Sequence, residues 1–179
     1  YKAGQEQREW YVNEMSKGDR DEVDGKAFYG AGDTWLVDGC EQVLDSPYWN
    51  AGRYVMLTFE TADEPLTIES YELTDTGYPL ELEAEFNCSD QDLGGLPPFL
   101  WASLRACSHE TYMDCPYYER LMYVGDTRLE ALTTYTGTRD ARLPRKAVKL
   151  FDWSREPEGL TASRYPARLR QTIPTFSLW

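Results

Sequence analysis

Residues 78–107 read YPLELEAEFNCSDQDLGGLPPFLWASLRAC, and the character of the chain changes inside them. In the first nine residues Leu80, Leu82, Ala84 and Phe86 alternate with Glu81, Glu83 and Glu85, the period-two pattern of a strand with one buried face. Residues 87–98 then collect Asn, Ser, Asp, two Gly and two Pro, which is loop or linker composition. Beyond them Phe99, Leu100, Trp101, Leu104 and Cys107 recur at roughly helical spacing.

Toward the N-terminus the strand pattern continues. Residues 53–61 (RYVMLTFET) and 66–73 (LTIESYEL) have high β-propensity, and Asp63-Glu64-Pro65 and Asp75-Thr76-Gly77 punctuate them at the spacing of a sandwich. Toward the C-terminus the helical pattern takes over. Leu129, Leu132 and Tyr135 follow Gly125-Asp126-Thr127, with Gly137 where a helix stops. A further helix is predicted over 141–154, with Leu143, Ala147, Leu150 and Phe151 inward and Arg142, Arg145, Lys146 and Lys149 outward. Pro144 fits only because it falls in the first turn. The fold class read from this is α+β: residues 1–96 as the C-terminal part of an antiparallel β-sandwich and residues 97–179 as the N-terminal part of a helical domain. Tyr1 stands where a Met would, and Ile173, Phe176, Leu178 and Trp179 look like the opening of an apolar helix, so the expectation is a piece of a longer protein.

The charge balance narrows the partners. With 31 acidic and 18 basic side chains the chain carries −13, which argues against nucleic acid, whose binding rests on clustered Lys and Arg. An aromatic content of 14% is too high for a disordered chain. No apolar run approaches the ~20 residues that cross a bilayer, so membrane insertion is not expected. Cys40, Cys88, Cys107 and Cys115 match no zinc or redox spacing and are expected to be buried free thiols. His109 is the only histidine, so a Cys/His or Ser/His mechanism has to run through it and a two-histidine metal site cannot form within the chain.

Carboxylates are left as the main candidates for chemistry, and they concentrate in residues 109–126, HETYMDCPYYERLMYVGD. Glu110, Asp114, Glu119 and Asp126 are threaded there with Tyr112, Tyr117, Tyr118 and Tyr123. Aromatic faces pack on the C–H faces of a pyranose, while carboxylates accept hydroxyl hydrogens and move protons. An aromatic setting also desolvates a carboxyl and raises its pKa toward that of a general acid. On a shared helix Glu119 and Asp126 would lie about 10.5 Å apart on one face. Asp114 and Glu119 can face one pocket only if the backbone leaves the helix, a departure that Pro116 favours at Cys115. The same residues also fit a polar loop in which Asp114 caps a helix and the tyrosines pack.

Residues 112–121, YMDCPYYERL, with YVGDTR at 123–128, resemble the active-site signature of the α-L-rhamnosidases of glycoside hydrolase family 78. Residues 157–166 (PEGLTASRYP) and 173–179 (IPTFSLW) match further family segments, and Gly32-Asp33, Asp38-Gly39, Arg53-Tyr54 and Tyr78-Pro79 resemble the β-sandwich domain that precedes the catalytic domain. The resemblance implies that residues from about Pro97 begin an (α/α)6 barrel. Twelve helices of ~10–14 residues need roughly 120–170 residues, more than follow that point.

By resemblance, the activity is inverting hydrolysis of terminal α-L-rhamnosyl residues without cofactor or metal, on a carbohydrate substrate. Glu119 is then the general acid. Asp114 and Asp126 hold the rhamnose hydroxyls, Glu158 and Arg164 are substrate contacts, and Trp179 is an aromatic wall of the sugar subsite. Many family members carry an Arg and an extra acid inside the signature, where Tyr117 and Tyr118 stand here. The general base comes from a later family segment, so the isolated 179 residues are expected to be inactive. Two other readings stay open: a non-catalytic carbohydrate-binding or structural fragment, and a barrel glycosidase of other sugar specificity. Localisation is undetermined, with a periplasmic or extracellular setting preferred for a glycan substrate.

Overall fold

The computed structural model describes Asp19, residues 21–26, Gly30 and residues 32–179. Its regular elements are all helical: α1 (Gln91–Gly94), α2 (Leu96–Ala106), α3 (Val124–Gly137), α4 (Arg142–Trp153) and a 3-10 turn (Pro174–Leu178). α3 is the centre of the arrangement, packing on α2, α4 and the 3-10 turn.

The helices start where local chemistry allows. Asp90 caps α1 by accepting the N–H groups of Asp92 and Leu93 at 2.9 and 3.4 Å. Pro97 and Pro98 do not end a linker before α2, as the composition suggested, but occupy its first turn, where the missing N–H has no intrahelical partner in any case. Pro144 is accommodated in the first turn of α4 for the same reason. Asp140 accepts the Arg142 N–H at 3.0 Å and clasps its guanidinium at 2.9 and 2.6 Å, which holds the Asp140 carboxyl well below the usual carboxylate range.

The predicted faces of α4 are observed, with Leu143, Pro144 and Ala147 buried and Arg142, Arg145, Lys146 and Lys149 exposed. Those of α3 are not. Leu129, Leu132 and Tyr135 are 60%, 50% and 55% exposed, and the buried face is Val124, Gly125, Thr127, Thr134 and Gly137. Small residues were missed as a packing face because a hydrophobic stripe weights size, whereas here small side chains admit large neighbours. Gly137 is an example. The helix ends there, as expected, and because a Cβ would overlap the Trp101 ring the glycine also lets the indole lie against α3.

The β-sandwich expected over residues 1–96 is not shown by the structure, and its residues 1–18, 20, 27–29 and 31 lie outside the described residues. Among the described residues there is no strand, only isolated antiparallel bridges at Ser108–Tyr112 and Tyr123–Arg164. Residues 53–61 and 66–73 form no regular element and leave Tyr54, Leu57, Phe59 and Ile68 exposed. Alternation marks a face suited to a ladder, but a strand exists only when a neighbouring chain pairs with it. Residues 78–84 pair instead with helix ends: Tyr78 N–H donates to the Ser108 carbonyl at 2.8 Å, and Glu83 and Ala84 N–H donate to Gly137 at 2.8 and 3.1 Å. Glu83 then accepts from Thr138 Oγ1 and from the Arg139 N–H and guanidinium at 2.9, 3.1 and 2.6 Å. This strap carries Leu80 into one core with Leu104, Tyr112, Met122, Leu143 and Ala147. The four cysteines are free, as expected, but Cys40 and Cys88 are exposed and Cys107 and Cys115 only half-buried.

Gly137→Ala is expected to destabilise the protein by about 1–3 kcal/mol through overpacking against the Trp101 ring. Gly94→Ala, which meets nothing within 4 Å, is the control and should be near neutral or slightly stabilising. Urea unfolding of both variants measures the difference, and equal midpoints would contradict the packing role of Gly137.

Candidate active site

Between α2 and α3 the chain runs through residues 107–123 without helix, so Glu119 and Asp126 do not share one and the departure from helix around Pro116 is present. The loop is held by its own backbone. Met113 N–H donates to Cys107 at 2.8 Å, and Asp114 N–H donates to the Leu121 carbonyl at 3.0 Å while Asp114 Oδ1 accepts the Leu121 N–H at 2.9 Å. Asp114 therefore braces the loop across seven residues and does not cap a helix.

Arg120 fixes the loop from outside. Its φ of 54° is the one positive value at a non-glycine among the described residues. From there its guanidinium donates to the carbonyls of Tyr117 and Trp49, both at 3.1 Å, and lies 4.7 Å from the Trp49 ring centroid. Trp49 stacks in turn on His109, with centroids 3.7 Å apart and rings parallel within 1°. Burial pushes the His109 pKa down, and its ring is engaged in packing.

A second segment closes on the loop. Val124 N–H donates to Ser163 at 2.9 Å and Tyr165 N–H to Met122 at 3.1 Å, making Tyr123 and Arg164 directly opposite partners. Arg164 donates from Nη1 to Tyr123 Oη and to Gln171 Oε1, and its guanidinium lies 5.3 Å from the Tyr123 ring centroid. Tyr123 Oη donates onward to Glu119 Oε2 at 2.6 Å. Glu119 is exposed at the turn, its own N–H donating to Cys115 Sγ at 3.2 Å.

Asp126 is exposed in the first turn of α3, where a negative charge complements the helix dipole. Trp179 stacks on Phe176 at 5.0 Å and lies over Gly125, where a Cβ would come within 2.7 Å of its ring. It thus flanks Asp126, with Arg128 5.8 Å from its ring centroid. Glu158 is exposed on the turn after α4.

The acid that the sequence reading passed over is Glu130, one helical turn after Asp126. Its Oε2 is buried without a hydrogen-bond partner. Burial, followed by the charges of Asp126 and Asp114 and opposed by the Met113 N–H, pushes its pKa up to about 8. Beside it Tyr112, fully buried, shares a 2.6 Å hydrogen bond with Thr134 Oγ1. The signal for Glu130 was present in the four-residue spacing from Asp126, which puts both acids on one face of α3. Among the described residues no cluster of His, Cys, Asp or Glu is arranged to hold a metal ion, and no helix is long and apolar enough to cross a membrane.

Residues 81–179 match the family model of the bacterial alpha-L-rhamnosidase 6 hairpin glycosidase domain. The chain belongs to this family. The match spans residues 81–84 of the strap, all four helices, the carboxylate loop and the segment that closes on it. Membership makes the chemistry glycoside hydrolysis and the substrate a carbohydrate, within a helical six-hairpin architecture. No curated protein and no solved structure matches the chain.

Because the Glu130 carboxyl is raised above its ordinary value of 4.5, its contribution to stability is full below about pH 4.5 and is lost as pH rises toward about 8. Glu130→Gln keeps the neutral shape and removes the proton. Its stability relative to wild type should increase with pH across that window, by at most about 1.4 kcal/mol per pH unit. Urea unfolding at about pH 5 and pH 8 reads this, and a pH-independent difference would contradict a neutral Glu130.

Proposed function

We propose that the parent protein releases terminal α-L-rhamnosyl residues from glycans or glycosides by inverting hydrolysis, with Glu119 as the general acid. The observation that carries this reading is the position of Glu119: an exposed carboxyl on the signature loop, with Oε2 engaged by Tyr123. The remaining oxygen is available to a leaving group. In the proposed reaction the Glu119 proton passes to the glycosidic oxygen as the C1–O bond breaks, and a water attacks C1 from the opposite face after losing its proton to a second carboxylate.

Asp114 and Asp126 are proposed to accept the rhamnose hydroxyls. Oδ1 of Asp114 is fixed by the Leu121 N–H, which orients the carboxylate and leaves Oδ2 for the sugar. Trp179, flanking Asp126 through its place over Gly125, suits a wall for the apolar face of the ring. Glu158 is retained only as a contact that a longer substrate would reach. Arg164 is engaged with Tyr123 and Gln171, so its part in sugar binding is indirect in this reading.

The proposed general base lies in later chain, which leaves the isolated 179 residues without turnover. The proposal assigns residues 97–179 to the start of the six-hairpin domain and residues 1–96 to what precedes it, with residues 78–84 strapped onto the helical unit. In the full-length parent, Glu119→Gln should lower rhamnose release from an α-L-rhamnoside of an unactivated phenol by about 10²–10⁴-fold. Rhamnose affinity, measured by calorimetry, should stay near wild type. Turnover like that of wild type would remove Glu119 from the acid role.

A further inference from the structure

We infer that Tyr123 is a positioning residue for the proposed general acid, and that Arg164 acts on the reaction through it. The inference rests on the reading of Glu119 given above and deepens it. Its basis is a chain of three side chains whose hydrogen bonds run in one direction, from Arg164 Nη1 to Tyr123 Oη and from Tyr123 Oη to Glu119 Oε2. Arg164 Nη1 can only donate, so Tyr123 Oη accepts from it and must direct its own hydrogen to Glu119 Oε2, 2.6 Å away.

The backbone fixes this order. Tyr123 and Arg164 are opposed in an antiparallel bridge whose hydrogen bonds flank them, the kind of pair whose side chains lie closest. Tyr123 is also the residue immediately before α3, so its position is tied to the helix start. Arg164 is further held by Gln171, which accepts from Nη1 at 3.2 Å.

Two consequences follow for proton transfer. With Oε2 accepting from Tyr123, the transferable proton of Glu119 resides on Oε1, so the tyrosine selects which oxygen faces the leaving group. As that proton moves to the glycosidic oxygen and the alcohol departs neutral, Glu119 becomes a carboxylate. The Tyr123 hydrogen bond then becomes charge-assisted and is stronger in the transition state than in the ground state. The Arg164 cation polarises the phenol and increases this effect.

The test is the dependence on leaving group in the full-length protein. A glycoside of a simple alcohol needs its oxygen protonated, whereas a 2,4-dinitrophenyl glycoside departs as a stable anion and does not. Glu119→Gln first tests the underlying reading: a large loss on methyl α-L-rhamnoside with a small loss on the dinitrophenyl rhamnoside supports it, and an equal loss on both overturns that reading and the inference with it. Given the supporting result, Tyr123→Phe should show the same selectivity in smaller measure. A roughly ten- to hundredfold fall in kcat on the methyl glycoside is expected, with about twofold or less on the dinitrophenyl glycoside and KM little changed. Arg164→Gln should give a smaller selective loss, and provides the readout if Tyr123→Phe does not fold. Losses equal on both substrates, or absent from both, would make Tyr123 a structural residue and overturn the inference while leaving Glu119 as the acid.

Discussion

Two backbone hydrogen bonds, from Val124 to Ser163 and from Tyr165 to Met122, hold the candidate site together. The loop before α3 has no regular structure of its own, and the segment after α4 has only turns, so neither is self-supporting. Joined at one antiparallel bridge, each fixes the other. The bridge gives the first N–H of α3 a partner that no side-chain cap supplies, which anchors the helix start and with it Asp126. It also places Arg164 against Tyr123 and so brings the second matching block of sequence to the loop that carries Glu119. Breaking it would part Arg164 from Tyr123 as well as unlock the helix.

Around that joint the electrostatics divide the acids by burial. Glu119 and Asp126 are open to solvent, Asp114 is half-buried and braced by a backbone N–H, and Glu130 is half-buried with its Oε2 buried and unpaired. Asp114, Asp126 and Glu130 repel one another, and the least hydrated one takes up the proton first. Glu130 is the group on which burial and the charges of Asp126 and Asp114 favour the proton, its pKa pushed up to about 8. Cys107 is affected by the same burial and the same acids, its thiol pushed up to about 11, so it is an inert part of the floor.

What the sequence disclosed followed the range of the interactions involved. The helix of residues 142–153 was legible because its inward and outward faces repeat locally, and the placement of Pro144 followed from helix geometry alone. The carboxylate loop was legible as a motif because its residues are contiguous. The β-sandwich was read from alternation in residues 53–86, and that pattern cannot supply the neighbouring strand that defines a sheet. The buried face of α3 went unseen because Gly125, Thr127, Thr134 and Gly137 have no hydrophobic signature until Trp179, Tyr112 and Trp101 are brought against them. The Arg120 clamp on Trp49, and the link from Arg164 through Tyr123 to Glu119, join residues tens of positions apart, and their spacing carries no trace of it.

In the proposed mechanism Glu119 is the acid on the signature loop and a water enters from the other face of the sugar. The stereochemistry of the first product tests this most directly. Proton NMR of the full-length protein acting on an α-L-rhamnoside should show the β-anomer of rhamnose appearing first, with the α-anomer following only by mutarotation. Initial release of the α-anomer would mean retention through a covalent intermediate, and would contradict the two-carboxylate inverting mechanism.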